Sequence, residues 1–371
     1  MKAWNSFFSF NVKSVIKKKT FMLPMIILIF GVFGVYFANR SATNNVNIVA
    51  LVAGDTKDMQ RQQHQFKSRG HKVPKALTIR LKRELALKAA YDNKDWSTAA
   101  ANKIKINNED IQSSKNSGDQ QGVSALITEN IELEFVKANN VFPEVEDMGV
   151  HSVNFLNDLF DIYFPIVVTV LFTFMVVPLF IGKYQHEKNM DLLFPRSSVW
   201  LESNRFITGF FVMFFSFVLL VCVAVAVSGI FSGLGNPHYP VVIVRSMPGP
   251  TISIIKVIFE ALCLQILALL SLIGLIQLVS NLTQNQNLTL LLVIGFSVCQ
   301  TIAASKLAFL NSIVNWIPGT YFNTISVIDG TVAFETNNHA VTFMNGIIML
   351  LAYNIILISV NLLTNKYKKV Y

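Results

Sequence analysis

Six stretches of this sequence are apolar for long enough to cross roughly 30 Å of hydrocarbon as helices, at 21–37, 163–181, 206–231, 252–279, 288–304 and 341–363. Lipid offers no hydrogen bonds to the backbone, so runs of this length are expected as helices whose polar groups satisfy one another. Composition points the same way: 52% of residues are hydrophobic and only 14% charged. Phenylalanine concentrates in runs such as 206–217, where an ordinary soluble core would have no room for it.

The run at 21–37 follows Lys17, Lys18 and Lys19 and could be mistaken for a secretory signal. It is longer than a usual signal core, and Ala38-Asn39-Arg40-Ser41 is a poor cleavage site, so a retained helix is expected.

Net charge is +9, and what matters is where the cations stand. Lys2, Lys13 and Lys17 to Lys19 precede the first run; Lys183, Lys188, Arg196 and Arg205 lie between the second and third; Lys366, Lys368 and Lys369 follow the last. The alternate short loops hold little beyond Arg245 and Lys306. The positive-inside rule then puts both termini of a multi-pass protein in the cytoplasm; a bacterial plasma membrane is the expected setting. The basic excess is accounted for by a lipid bilayer, with no nucleic acid partner implied. Cys222, Cys263 and Cys299 all sit in apolar runs, so the polar region at 40–151 has no disulfide framework.

The expected fold is an all-α integral membrane protein with six transmembrane helices. Residues 1–19 form a cytoplasmic interfacial helix, with Trp4, Phe7, Phe8, Val12 and Val15 on one face and Asn5, Asn11, Lys13 and Lys17 on the other. Residues 20–38 form the first span and 39–158 a mainly helical extracellular domain, with helix at 76–91 and 127–137 and a loop at 107–122, where Asn, Ser, Gly and Gln dominate. Residues 159–371 form the remaining five spans, with a cytoplasmic segment at 183–205 and a re-entrant segment at 307–332. The latter reads as two short helices, 310–317 and 321–328, broken by Pro318-Gly319. Lys256 and Glu260 are spaced to pair on one helix face, and Gln265, Gln277, Gln300, Asn354 and Asn361 read first as interhelical glue.

Motifs of catalysis are absent from the sequence: no phosphate-binding Gly-Lys loop, no Gly-x-Ser-x-Gly, no His-Glu-x-x-His and no compact Cys/His cluster. No enzyme activity, metal or cofactor is therefore expected of this chain. The informative segment is 183–205. Met190, Leu192, Leu193 and Phe194 make an apolar patch, Glu187, Lys188 and Asp191 surround it, and Pro195 stops the helix expected there. Apolar residues on a polar loop call for a partner surface.

That segment resembles the coupling region of the ABC-2 type (type 2) ABC exporter permeases of Gram-positive-like bacteria. In that family an acidic residue follows the second span, and a short helix leads through a Leu-Leu-x-Pro-like stretch and a Ser-containing turn into the third. Glu187, Leu192-Leu193-Phe194-Pro195 and Ser197-Ser198 stand at those places. The layout of the whole chain is also similar. The resemblance implies a permease subunit driven by a separate ABC ATPase that binds the ATP. It implies docking on Glu187, Asp191, Leu192, Leu193, Phe194, Pro195 and Arg196 together with the interfacial helix, and pairing as a homodimer or with a second permease. The competing expectation is a non-transport receptor or immunity-type protein acting through its extracellular domain.

Overall fold

The computed structural model describes residues 2–45, 48–145, 147–185, 188–193, 195–244 and 249–367. Five of its helices are long and apolar enough to cross a membrane, and the protein is an all-α multi-pass membrane protein apart from two small β-hairpins. Helix α1, Lys2–Ile16, precedes α2, Lys19–Asn45, the first of the five. The insertion follows as α3 (Ile48–Ser68), α4 (Lys75–Asp92), α5 (Trp96–Ser117) and α6 (Gln120–Asn139). Then come α7 (Ser152–Ile181), α8 (Ser198–Ser232), α9 (Ile254–Thr283) and α10 (Gln286–Lys306). Two short helices, α11 (Thr324–Ile328) and α12 (Thr331–Glu335), lead into α13, Phe343–Tyr367.

Burial sorts these helices into centre and rim. The apolar window of α7 is 67% buried and that of α9 56%, against 28% for both α2 and α13. Apolar side chains such as Phe30, 72% exposed, and Phe215 and Ile355 stand outward from the rim helices. In water such rows would be a liability; here they are the lipid-facing surface. Inside, Phe160, Phe164 and Phe217 meet edge to face with centroids 4.8–5.9 Å apart, tying α7 to α8. Within α7 the hydrogen-bond ladder widens to π spacing across Leu159–Val168, the stretch that contains Pro165, which has no N–H to give.

The sixth expected span is α10, whose 21 residues reach about 31 Å at 1.5 Å per residue, although its apolar part, Gln286–Ile302, is shorter than in the other five. Its first turn follows directly on α9, and Thr301 near its far end accepts a bond from Asn323 at 3.4 Å.

In the insertion, helix runs through most of 107–122, where a loop was expected: α5 continues to Ser117. Asn107 decides this, being fully buried and donating to Glu129 at 2.8 Å and Asn130 at 3.0 Å on α6. Ile106 and Ile111 are buried beside it, and tertiary packing outweighs the weak helix propensity of the Asn and Ser residues. The turn occupies only Gly118, in the left-handed region at φ 78°, and Asp119, whose carboxylate caps α6 at Gly122 N, 3.0 Å. Arg80 grips Asp110 with both terminal nitrogens, at 2.5 and 3.0 Å, and Arg83 pairs with Glu109, fixing α4 to α5.

The segment at 307–332 departs from the two helices expected there. The first is instead a pair of 3₁₀ turns, Ala308–Leu310 and Val314–Trp316, and the second is split between a 3₁₀ turn at Pro318–Phe322 and α11. Side chains supply the missing backbone bonds: Thr320 Oγ1 donates to Val314 O at 2.7 Å, Tyr321 OH to Asn315 O at 2.8 Å, and Asn338 Nδ2 to Asn311 O at 2.9 Å. The turn at 318–322 presses so closely on α10 that a Cβ on Gly319 would stand 2.3 Å from Gln300 Cβ. Gly319→Val is expected to lower stability by about 1–3 kcal/mol through overpacking, read as an earlier loss of monodisperse protein on heating in detergent. An unchanged profile would mean that α10 moves aside freely.

Candidate functional site

At the end of the bundle where α1 lies and α13 finishes, the chain between α7 and α8 folds back on the helices. Gly182 ends α7, and Tyr184–Gln185 (β1) pairs antiparallel with Lys188–Asn189 (β2). A 3₁₀ turn, Met190–Leu193, follows. The expected short helix is therefore a two-residue ladder and a tight turn. Pro195 lies beyond that turn and is exposed. Ser197 then starts α8, its hydroxyl accepting from Trp200 N at 3.3 Å.

Four charged side chains meet beneath this loop. Lys183, Asp191, Glu202 and Arg205 have side chains only 2%, 4%, 4% and 8% exposed. Arg205 holds both oxygens of Asp191 at 2.5 Å and reaches Glu202 at 3.3 Å. The Lys183 ammonium pairs with Glu202 and donates to Asn281 Oδ1 at 2.6 Å. Gln277 Nε2 donates to the second Glu202 oxygen at 2.9 Å, and Tyr184 OH to Asn281 Oδ1 at 3.4 Å. Two cations face two anions, so the cluster is neutral overall. Burial pushes the Lys183 ammonium below its ordinary pKa and Glu202 pulls it back; burial also pushes the Tyr184 phenol upward.

Helix α1 covers the junction from the side. Trp4 and Phe7 pack on Trp200 with centroids 5.1 and 5.5 Å away, and Phe8 meets Phe211 at 5.8 Å. Val15 is buried, while Phe10 faces outward. Asn11, expected on the polar face, is buried instead, donating to Asn204 Oδ1 at 3.0 Å; Asn204 in turn donates to Trp4 O at 3.4 Å. The Arg196 guanidinium lies over the Trp200 ring, 5.6 Å from its centroid. A cleft of 330 Å³ opens between α1, the end of α7 and the 3₁₀ turn, with Phe7, Lys18, Met190 and Asp191 among its walls.

Of the residues singled out in the sequence, the structure brings Trp4, Phe7, Phe8, Arg196 and Asp191 to this one junction. Asp191, expected at the rim of a docking patch, points inward to Arg205. Glu187 and Phe194 lie outside the described residues, as do the side chains of Leu192 and Leu193. Lys183 and Arg205, read as topology-setting loop charges, are internal, and Glu202 and Asn281 carried no signal of their own. A Glu three residues before an Arg at the head of an apolar helix was the available hint.

Elsewhere the amides act as glue: Asn354 and Asn361 on α13 donate to Leu267 O at 3.2 Å and Gly274 O at 3.0 Å on α9. Lys256 and Glu260 stand 3.9 Å apart, with the lysine largely exposed. No family model, curated protein or solved structure matches this chain.

Proposed function

We propose that this protein is the membrane-spanning permease subunit of an ABC transporter of the ABC-2 type, working as an exporter. In this reading the chain crosses the plasma membrane six times with both termini in the cytoplasm. A separate ATPase subunit binds ATP and docks on the loop between α7 and α8 beside α1. The subunit works as a pair, with a second copy or a sister permease.

The observation that carries the reading is the buried charge cluster. Arg205 and Glu202 on α8, Lys183 after α7 and Asn281 on α9 tie the loop that bears Asp191 to three helices at once. A force applied to that loop is delivered to α7, α8 and α9 together, as a coupling element requires. In the sequence, the apolar residues Leu192-Leu193-Phe194 follow Asp191 directly, and apolar anchors of this kind are what a docking partner grips.

Affinity purification of the tagged protein in mild detergent tests this. An ATP-hydrolysing chain of the ABC type is expected to co-purify, with ATPase activity in the complex and none in the permease alone. Repeated purification with no such chain, across nucleotide states, would remove the proposal in favour of a receptor-type function.

A further inference from the structure

At the opposite end of the bundle, where the insertion meets α7, a cavity of 510 Å³ opens between Phe142, Glu144, His151, Asn154, Pro237 and Tyr239. We propose that this cavity binds a small organic cation, an ammonium or guanidinium carried on an apolar body.

Three observations converge on that class. The first is an unused polar group. Asn154, in the first turns of α7, is only 7% exposed and lines the cavity, yet its carboxamide makes no hydrogen bond to any described residue. An amide in a cavity wall with no protein partner can hydrogen-bond a ligand atom or water.

The second is the sign of the field. Glu144 is in the wall, and Asp158, one turn further along α7, accepts Gly149 N at 2.6 Å behind it. Asp147 and Asp161 stand close enough to act on Asp158, and Glu132 on α6 acts on Tyr239. Among the described residues no lysine or arginine lines the cavity, and His151 is the one cationic candidate in its wall. The Glu144 carboxylate in the wall repels an anion and attracts a cation. A metal ion is not favoured, because no group of three His, Cys, Asp or Glu converges suitably among the described residues.

The third is the aromatic wall. Phe142 is braced between Trp96, at 5.1 Å, and His151, at 5.6 Å, and Tyr239 leans on Phe135 at 5.7 Å. Rings held this way offer preformed faces to a cation and its apolar body.

Glu144 is shared: one oxygen pairs with His151 Nδ1 and the other accepts Val150 N at 3.3 Å. The hydrogen bond to Glu144 raises the His151 pKa above its ordinary value despite burial. Protonated His151 therefore competes with the ligand for Glu144. Of the charged groups around the pair, Asp158 and Tyr239 interact with Glu144, with Asp147 and Asp161 beyond Asp158 and Glu132 and Tyr91 beyond Tyr239; none of them is a cation. Binding should strengthen as pH rises through the His151 pKa and level off above it.

The test uses the full chain in nanodiscs without any ATPase, so its outcome is independent of the transporter reading. Binding of phenyltrimethylammonium is measured calorimetrically, with benzenesulfonate as the anionic comparison. Saturable binding of the ammonium alone, tightening roughly tenfold from about pH 6 to about pH 9, is expected. Glu144→Gln should weaken it by roughly tenfold and flatten the pH dependence, while Asn154→Ser, the second variant should the first fold poorly, should weaken it several-fold. No saturable binding, equal uptake of both probes, or native-like binding in a folded variant would overturn the proposal.

Discussion

Glu202→Ala is expected to destabilise the protein by about 3–5 kcal/mol, the largest effect of any single substitution at the junction. The side chain is buried and touches Lys183, Arg205 and Gln277. Its removal leaves two buried cations facing one anion, Asp191, with Lys183 retaining the neutral Asn281 and the face of the Tyr184 ring. An unpaired charge in such a place costs far more than the net value of the pair it came from. The comparison that isolates this cause is the double variant Lys183→Met with Glu202→Leu. It removes one cation and one anion together, leaves Arg205 and Asp191 paired, and should recover most of the loss. Unfolding titrations in mixed micelles read both. A loss below about 1 kcal/mol for Glu202→Ala would mean that water reaches the cluster and that it is no rigid joint.

Leu192→Asp combined with Leu193→Asp is expected to release the ATPase while leaving the permease folded. Apolar anchors at the centre of a protein interface contribute about 2 kcal/mol or more each, so the pair should weaken docking by roughly a hundredfold or more. The charge cluster that holds the loop keeps all four of its members, Lys183, Asp191, Glu202 and Arg205, in this variant. Recovery of the ATPase with the purified variant is the readout, with a melting profile as the folding control. Undiminished recovery would move the docking surface elsewhere, α1 being the next place to look.

How far the sequence could be read depended on whether the deciding partner was near or far. Five spans were legible because length and apolarity alone define them, although α8 starts at Ser198, ahead of the apolar run at 206–231 that marked it. The Asn- and Ser-rich stretch at 107–122 misled because its helix is set by Asn107 reaching Glu129 and Asn130, 22 and 23 residues away. The charge cluster was hidden for the same reason. Arg205 finds Asp191 at a separation of 14 residues, Lys183 finds Glu202 at 19 and Asn281 at 98. A lysine beside a membrane span has the same local signature whether it faces water or a buried carboxylate. The cavity beside the insertion was out of reach too, since Glu144, Asn154 and Tyr239 come together only when the insertion packs on α7.

The central claim is that the loop between α7 and α8 receives a nucleotide-driven partner, and photocrosslinking from position 193 in native membranes tests it most directly. With a photoreactive amino acid in place of Leu193, the account predicts a covalent adduct to an ATP-binding chain, with a yield that changes when ATP is added. Adducts confined to lipid or to the protein's own helices, with no ATP-binding chain among them, would contradict it.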